Sequence, residues 1–332
     1  MIEGHGDDLY RYGDKVKSNF SSNIYCRFNH DGLKEHLAGR LGCMTSYPEP
    51  SPFSLERRLA RDFGVDEGCV VVTAGATDAI YRIADRFHKR RSFIMSHPTF
   101  SEYHDACKIA CHDFCDDIED AELVWICNPN NPTGEVMGKD ALRGIVNCNP
   151  GKIVIIDQSY SEYTNVPLFS AADVRDMDNV ILVGSFTKRF GVPGLRLGYM
   201  VGNAELMTLM RVNARPWTVS QLSIDAGIYL LDHAEEYRLP LPLLLDEARR
   251  VGELLRGAGI KANPMATPFF LCETPENATA VQLKEYLIDE HGILIRDASN
   301  FSGLSGRHFR ISVQSPEEND MLIKAIERWN ML

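Results

Sequence analysis

The chain has 332 residues, ordinary apolar content (44%) and a net charge of −11, a length that allows one large or two ordinary domains with a substantial core. The acids are spread along the chain with no basic run, which argues against nucleic acid as a partner, because phosphate backbones need clustered Lys and Arg. No segment reaches the roughly 18 apolar residues of a membrane span, and the polar start MIEGHGDDLYRYGDK lacks the apolar block of a signal peptide, so the expectation is a soluble, cytoplasmic protein without membrane contacts.

In chain order, CVVVTAG (Cys69–Gly75) reads as a strand ending in a turn, and TDAIYRIADRFH follows as an amphipathic helix with Ile80, Ile83, Ala84 and Phe87 on one face. Further strands are expected at Ser92–Ser96, Glu122–Asn130, Lys152–Tyr160, Asn179–Phe186 and Leu195–Gly202. The run ELVWICNPN is almost wholly apolar, as expected of a strand buried on both faces. Helices are expected between them, at Lys139–Asn147 and Ala204–Val212 among others. Such alternation implies an α/β fold with a mostly parallel sheet covered by helices. Near residue 235 the texture changes to a long helical stretch, short β-runs (FFLCET, GILIRD, HFRISV) and a final helix at Glu317–Asn330. The predicted organisation is an N-terminal arm (1–30), a large α/β domain (31–234) and a smaller α+β domain (235–332).

The nine cysteines are scattered, contain no CxxC pair and give no metal site. Cys107, Cys111 and Cys115 recur every four residues and read as a buried helical face lined by small thiols.

Ligands of open α/β sheets gather at the carboxyl ends of the strands, and polar residues fall there in this chain. Gly75-Ala76-Thr77 combines a permissive glycine with a helix start that offers free N–H groups to an anion. Asn131 lies in a loop rich in Asn, Pro and Gly. Asp157 ends an isoleucine-rich strand, where a carboxylate needs a partner; that partner is a structural donor or a protonated ring nitrogen. Lys188 ends another apolar strand, between the hydroxyls of Ser185 and Thr187 and followed by Arg196. A desolvated lysine beside cations becomes nucleophilic toward aldehydes. One ligand answers all of these groups. It has a phosphate for Gly75, Ala76, Thr77, Ser185, Thr187 and Arg196, a pyridinium nitrogen for Asp157, a phenolic oxygen for Asn131 and Tyr160, and an aldehyde for Lys188. That ligand is pyridoxal 5′-phosphate.

With these residues in place, the chain resembles the fold-type I pyridoxal-phosphate enzymes of the class I/II aminotransferase group. The resemblance runs in order through Tyr47-Pro48-Glu49-Pro50, Ala74–Thr77, Pro98-Thr99-Phe100, Asn128–Gly134, Asp157–Tyr160, Ser185–Arg196 and Phe309–Ser312. It implies that Lys188 binds the cofactor covalently and shuttles the proton, with Asp157 and Tyr160 completing the catalytic set. It implies that Phe100 stacks on the ring, that Tyr47 reaches the cofactor phosphate of a neighbouring subunit in a homodimer, and that Arg310 grips a substrate carboxylate bidentately. Thr187 and Arg189 flank the lysine where many relatives carry a serine and a small or apolar residue; Arg189 has no assigned role.

Within the group the chain is most similar to histidinol-phosphate aminotransferases and threonine-phosphate decarboxylases. Gly4–Asp8 with Tyr10–Gly13, Ser21-Ser22-Asn23-Ile24, and Leu294–Phe301 with Gly303-Leu304 resemble the decarboxylases more. That resemblance implies Arg296 as a contact for a substrate phosphate, against a surface ion pair with Asp297, and His5 as a contact from the arm, against a plain tail. The expected reaction is decarboxylation of O-phospho-L-threonine to aminopropanol phosphate in cobalamin synthesis; the alternative is transamination of histidinol phosphate with 2-oxoglutarate. A sensor module fused to a DNA-binding domain is disfavoured by the shortness of the segment before the fold and by the presence of Lys188. A dinucleotide enzyme would need GxGxxG after the first strand, which Ala74–Thr77 does not provide.

Overall fold

The computed structural model describes residues 8–331 apart from 213 and 264. Its strands, in chain order, are β1 (Ser18–Asn19), β2 (Val70–Thr73), β3 (Arg91–Ile94), β4 (Asp113–Phe114), β5 (Leu123–Cys127), β6 (Ile153–Asp157) and β7 (Val180–Ser185), then β8 (Gly198–Val201), β9 (Lys261–Ala262), β10 (Phe269–Glu273), β11 (Ile293–Leu294), β12 (Arg296–Asp297) and β13 (His308–Ser312).

The large sheet runs β2-β8-β7-β6-β5-β3-β4. Its centre follows from composition: β5 and β7 are buried at every residue, and β6 at all but its first. Apolar β-branched runs of this kind fit only between two covering layers. Pairing is parallel from β7 through β4, as expected. β8 is the departure, antiparallel to both β7 and β2. The segment between β7 and β8 holds only the four-residue helix Phe186–Arg189 and a short 3-10 turn, and no crossover helix of the kind that usually joins parallel neighbours.

β2 is an edge strand, and side chains close its open edge. Glu56 Oε1 accepts from Val72 N at 3.0 Å, and Arg211 donates to the Val70 carbonyl. Both groups would otherwise lack a ladder partner. Burial pushes the Glu56 carboxyl above its ordinary range, opposed by the Val72 hydrogen bond and the Arg211 charge.

The C-terminal part holds an antiparallel sheet, β12-β13-β10-β9. The GILIRD run is split into β11 and β12. Only β12 joins this sheet; β11 pairs in parallel with β1 of the arm. Arm pairing was absent from the sequence reading. It continues as Phe20 N donates to Leu294 O and Ser312 N to Phe20 O, at 2.8 and 2.9 Å. Buried Asp8 forms an ion pair with buried Lys284, whose ammonium lies over the Tyr12 ring. The arm is thereby stitched to the small sheet, and it carries Ser21–Ile24 into the main cavity.

The expected cysteine face is corrected. The helix ends at Ile109; Cys107 is buried on it, whereas Cys111 is exposed beyond its end at positive φ and Cys115 lies half-buried after β4. The period of four crosses a helix terminus, so the three thiols share no face. Buried His112, unassigned from sequence, accepts from or donates to Ser92 Oγ through Nδ1 at 2.7 Å and bonds Ala84 O through Nε2 at 2.9 Å.

No helix among the described residues is long and apolar enough to cross a membrane.

Candidate active site

A cavity of about 350 Å³ opens where the carboxyl ends of β5, β6 and β7 meet the arm and the small sheet. Ala76, Thr77, Phe100, Asn131, Asp157 and Tyr160 line it, and so do Ser185, Thr187, Lys188, Arg196, Arg296 and Arg310. Most of the residues chosen from sequence therefore converge on one space, although they are spread over more than two hundred positions.

The anion cradle is built by the turn after β2. Helix Ala76–Arg86 starts at Gly75, whose φ of 91° suits glycine. A Cβ there would also lie 2.8 Å from Arg196 Nη2, so the missing side chain is what lets the guanidinium lie against the turn. Gly75 thus shapes the cradle from behind. Gly198 on β8 presses on the same turn from the other side: a Cβ would sit 2.5 Å from both Ala76 N and Gly75 C. Asp78 Oδ2 accepts from Ala74 N at 3.0 Å and from Arg82 Nη2 at 2.8 Å, which pins the turn. Arg196 adopts a left-handed backbone and donates from Nη1 to Pro193 O at 3.1 Å. Free N–H groups of a helix start, two buried hydroxyls (Ser185, Thr187) and a guanidinium make a site for a dianionic phosphate.

At the floor, Asp157 is buried at the end of β6. Its Oδ1 accepts from Ser159 N and its Oδ2 from Tyr103 Oη, each at 2.8 Å. Burial pushes this carboxyl up, while the Ser159 and Tyr103 hydrogen bonds and the Lys188 charge oppose the rise. Lys188 Nζ stands 5.4 Å from the centre of the Tyr160 ring, and its carbonyl accepts from Tyr163 Oη at 3.1 Å. The Tyr160 phenol is pushed up to about 12 by burial, partly offset by the Arg310 charge, and it accepts from Asn23 Nδ2 at 3.4 Å.

Arg310 and Arg296 are each 5% exposed. Arg310 donates to Asn131 Oδ1 and to the Ser21 carbonyl. That engagement commits the Asn131 oxygen and leaves its Nδ2 as the donor for a ligand acceptor. Arg296 donates from Nη2 to Asn300 Oδ1 at 3.1 Å and lies over the Phe301 ring. It is a cavity residue and not a surface one, while Asp297 accepts from Ser299 N.

Two expectations, Tyr47 and His5, and the unassigned Arg189 fall outside this set. Tyr47 is 83% exposed and its ring tilts against Trp217 with centroids 5.1 Å apart, away from the cavity of its own chain. His5 lies outside the described residues. Arg189 sits 3.7 Å from Glu162 and packs over Phe190. Sequence reasoning missed Tyr103, Cys127 and Phe301 as lining residues of this cavity; no local pattern marks Tyr103, whose partner Asp157 lies 54 residues on.

The donor set fits pyridoxal 5′-phosphate: a phosphate cradle that only glycine leaves open, a buried carboxylate, an aromatic wall and a lysine share one cavity. This fold and site define a fold-type I pyridoxal-phosphate enzyme. The chain belongs to the aminotransferase class I and II family, whose model matches residues 15–326. The family's cofactor is pyridoxal 5′-phosphate, and the chain is an enzyme of the aminotransferase or the decarboxylase type.

Among solved structures, the L-threonine-O-3-phosphate decarboxylase of Porphyromonas gingivalis superposes with a TM-score of 0.92 at 35% identity, covering 95% of this chain and 100% of that one. Among curated relatives, the histidinol-phosphate aminotransferase of Caldanaerobacter subterraneus is 31% identical over 84% of this chain and 83% of its own. The threonine-phosphate decarboxylase of Salmonella typhimurium is 28% identical over 92% of this chain and 89% of its own. A histidinol-phosphate aminotransferase of Sinorhizobium meliloti, solved with pyridoxal-5′-phosphate, shares the fold with a TM-score of 0.84 at 20% identity, covering 97% of this chain and 93% of that one.

Proposed function

We propose that this chain decarboxylates O-phospho-L-threonine to aminopropanol phosphate, a step of cobalamin synthesis, as a cytoplasmic homodimer. The observation that carries the reading is the register of Arg296 against Arg310, directly opposed on β12 and β13. Opposed residues of antiparallel strands point to the same face with Cα atoms about 5 Å apart. Two buried guanidinium groups side by side repel one another; Asp8 and Asp297 already act on Arg296, and a substrate with a carboxylate and a phosphate a few bonds apart would add one anion opposite each guanidinium.

The residues then divide the work. The cradle of Ala76, Thr77, Ser185, Thr187 and Arg196 holds the cofactor phosphate, Asp157 holds the ring nitrogen, and Phe100 walls the ring. When bound, the cofactor supplies a conjugated electron sink for the pair left at the substrate α-carbon. Arg310 would grip the substrate carboxylate and Arg296 its phosphate, and together they would fix the orientation of the substrate in the cavity. As carbon dioxide departs, the Lys188 ammonium delivers a proton to the α-carbon. Burial of Tyr160 keeps its phenol neutral at pH 7 and able to donate. Tyr47, exposed beside Trp217, is available to a neighbouring subunit. In this reading residues 31–234 form the cofactor domain, 235–332 the smaller domain and 1–30 the arm.

Transamination of histidinol phosphate with 2-oxoglutarate is the second reading, supported by relatives of that name at 29% and 31% identity. The same arginines would then serve the dicarboxylate. The test is carbon dioxide release from O-phospho-L-threonine by the holoenzyme. No release, together with glutamate formed from histidinol phosphate turnover, reverses the order.

A further inference from the structure

Tyr103 has no part in the roles assigned above, yet it touches the centre of the site. It sits on helix Glu102–Ile109, fully buried, with its ring stacked on Trp125 at 5.7 Å and edge-on to Phe100 at 5.7 Å. Its Oη lies 2.8 Å from Asp157 Oδ2. An ionised carboxylate only accepts, so the phenol donates. Because the ring is wedged between Trp125 and Phe100, the hydroxyl position is set by packing and not by a mobile side chain. The other oxygen of Asp157 is held by the Ser159 backbone. The carboxylate is thus clamped from both sides, one clamp local and one from a distant helix.

Resting on the cofactor assignment above, we infer that Tyr103 is a positioning residue that orients the Asp157 carboxylate toward the ring nitrogen of the cofactor. The need is physical. A carboxylate in a buried site tends to take up a proton, and a protonated one no longer favours a charged ring nitrogen. A hydrogen bond donated to the ionised form opposes that tendency. Charged and titratable groups around Asp157 are Tyr103 from its helix, Cys127 at the end of β5, Tyr160 after β6, and Lys188. Burial pushes the Cys127 thiol up to about 12 and the Tyr103 phenol well above its ordinary value, so both stay neutral at working pH. Lys188 is the cation of the set. Tyr103 is the neutral side-chain donor that packing aims at Oδ2. It also links two walls of the cofactor site, since the ring that bonds Asp157 packs on Phe100.

The test uses Tyr103→Phe in the full-length chain, which keeps the ring and its packing. Hydrogen bonds to charged groups are strong enough that cofactor affinity should fall roughly tenfold. The pH midpoint of the visible band of the lysine-bound cofactor should also move, with an unchanged far-UV circular dichroism spectrum. In an Asp157→Asn background the same change should have little further effect, because its target is gone. Affinity within about twofold of the parent with an unmoved midpoint overturns the inference, as does full additivity with Asp157→Asn. A lowered melting temperature with unchanged affinity and midpoint makes Tyr103 a packing residue only and likewise overturns it. Failure of the parent chain to form the visible band would instead sink the cofactor assignment, so the two failures are distinguishable.

Discussion

Replacing Gly198 by alanine tests the cradle from a residue that touches no ligand. The new methyl would lie 2.5 Å from Ala76 N and Gly75 C, both backbone atoms, and 3.0 Å from Gly75 Cα. Ordinary contact begins near 3.4 Å, so the turn and β8 must separate by about 1 Å. β8 cannot retreat cheaply, because Gly198 is paired with Thr73 on one side and Ser185 on the other. The turn is the softer element, and moving it carries the Ala76 and Thr77 N–H groups out of place. Overpacking of this kind costs about 1–3 kcal/mol, which for a chain this size lowers the melting temperature by about 1–4 °C. Loss of one charge-assisted donor contact weakens cofactor binding about tenfold or more. The assay is titration of the apoprotein with pyridoxal 5′-phosphate, alongside thermal melting with and without it. A Gly198→Ala protein with parental affinity and melting temperature would refute the argument that this turn is pressed into shape by β8.

Arg310→Lys loses the planar fork that reaches Asn131 and the Ser21 carbonyl; KM for the phosphorylated substrate should rise at least about tenfold with cofactor affinity nearly unchanged, measured by steady-state kinetics. Lys284→Met strips the partner from buried Asp8, so the arm should detach and limited proteolysis ahead of Ser18 should accelerate; unchanged cleavage would count against the latch. Burial holds the His112 pKa below the ordinary value and so favours the neutral ring, in which Nε2 donates to the Ala84 carbonyl and Nδ1 accepts from Ser92. The unfolded chain then takes up the proton first, and stability falls as pH drops below about 6.5. Part of this loss should vanish in His112→Gln, seen as a smaller difference between melting temperatures at about pH 7.5 and about pH 5.

The elements of the large sheet other than the two-residue β4 were legible because their causes are local. Runs such as LVWIC and VILVGS are apolar throughout, and only a doubly covered strand accommodates them. The candidate site was legible for a related reason: in this fold class ligands collect at strand ends, and the chain puts its unusual polar residues there. The cysteine period misled because recurrence in sequence says nothing about where a helix stops. Tyr103 was invisible because its partner, Asp157, is 54 residues away.

By itself, then, the sequence determined which residues carry chemistry and which strands present them, since burial pattern and residue type are properties of short stretches. Tertiary structure alone decided that β8 lies antiparallel beside the phosphate turn, that Arg296 and Arg310 stand opposed across β12 and β13, and that the arm pairs with β11 on its way into the cavity. Those facts depend on hydrogen-bond register between segments far apart in the chain, and register is fixed only when whole faces pack together.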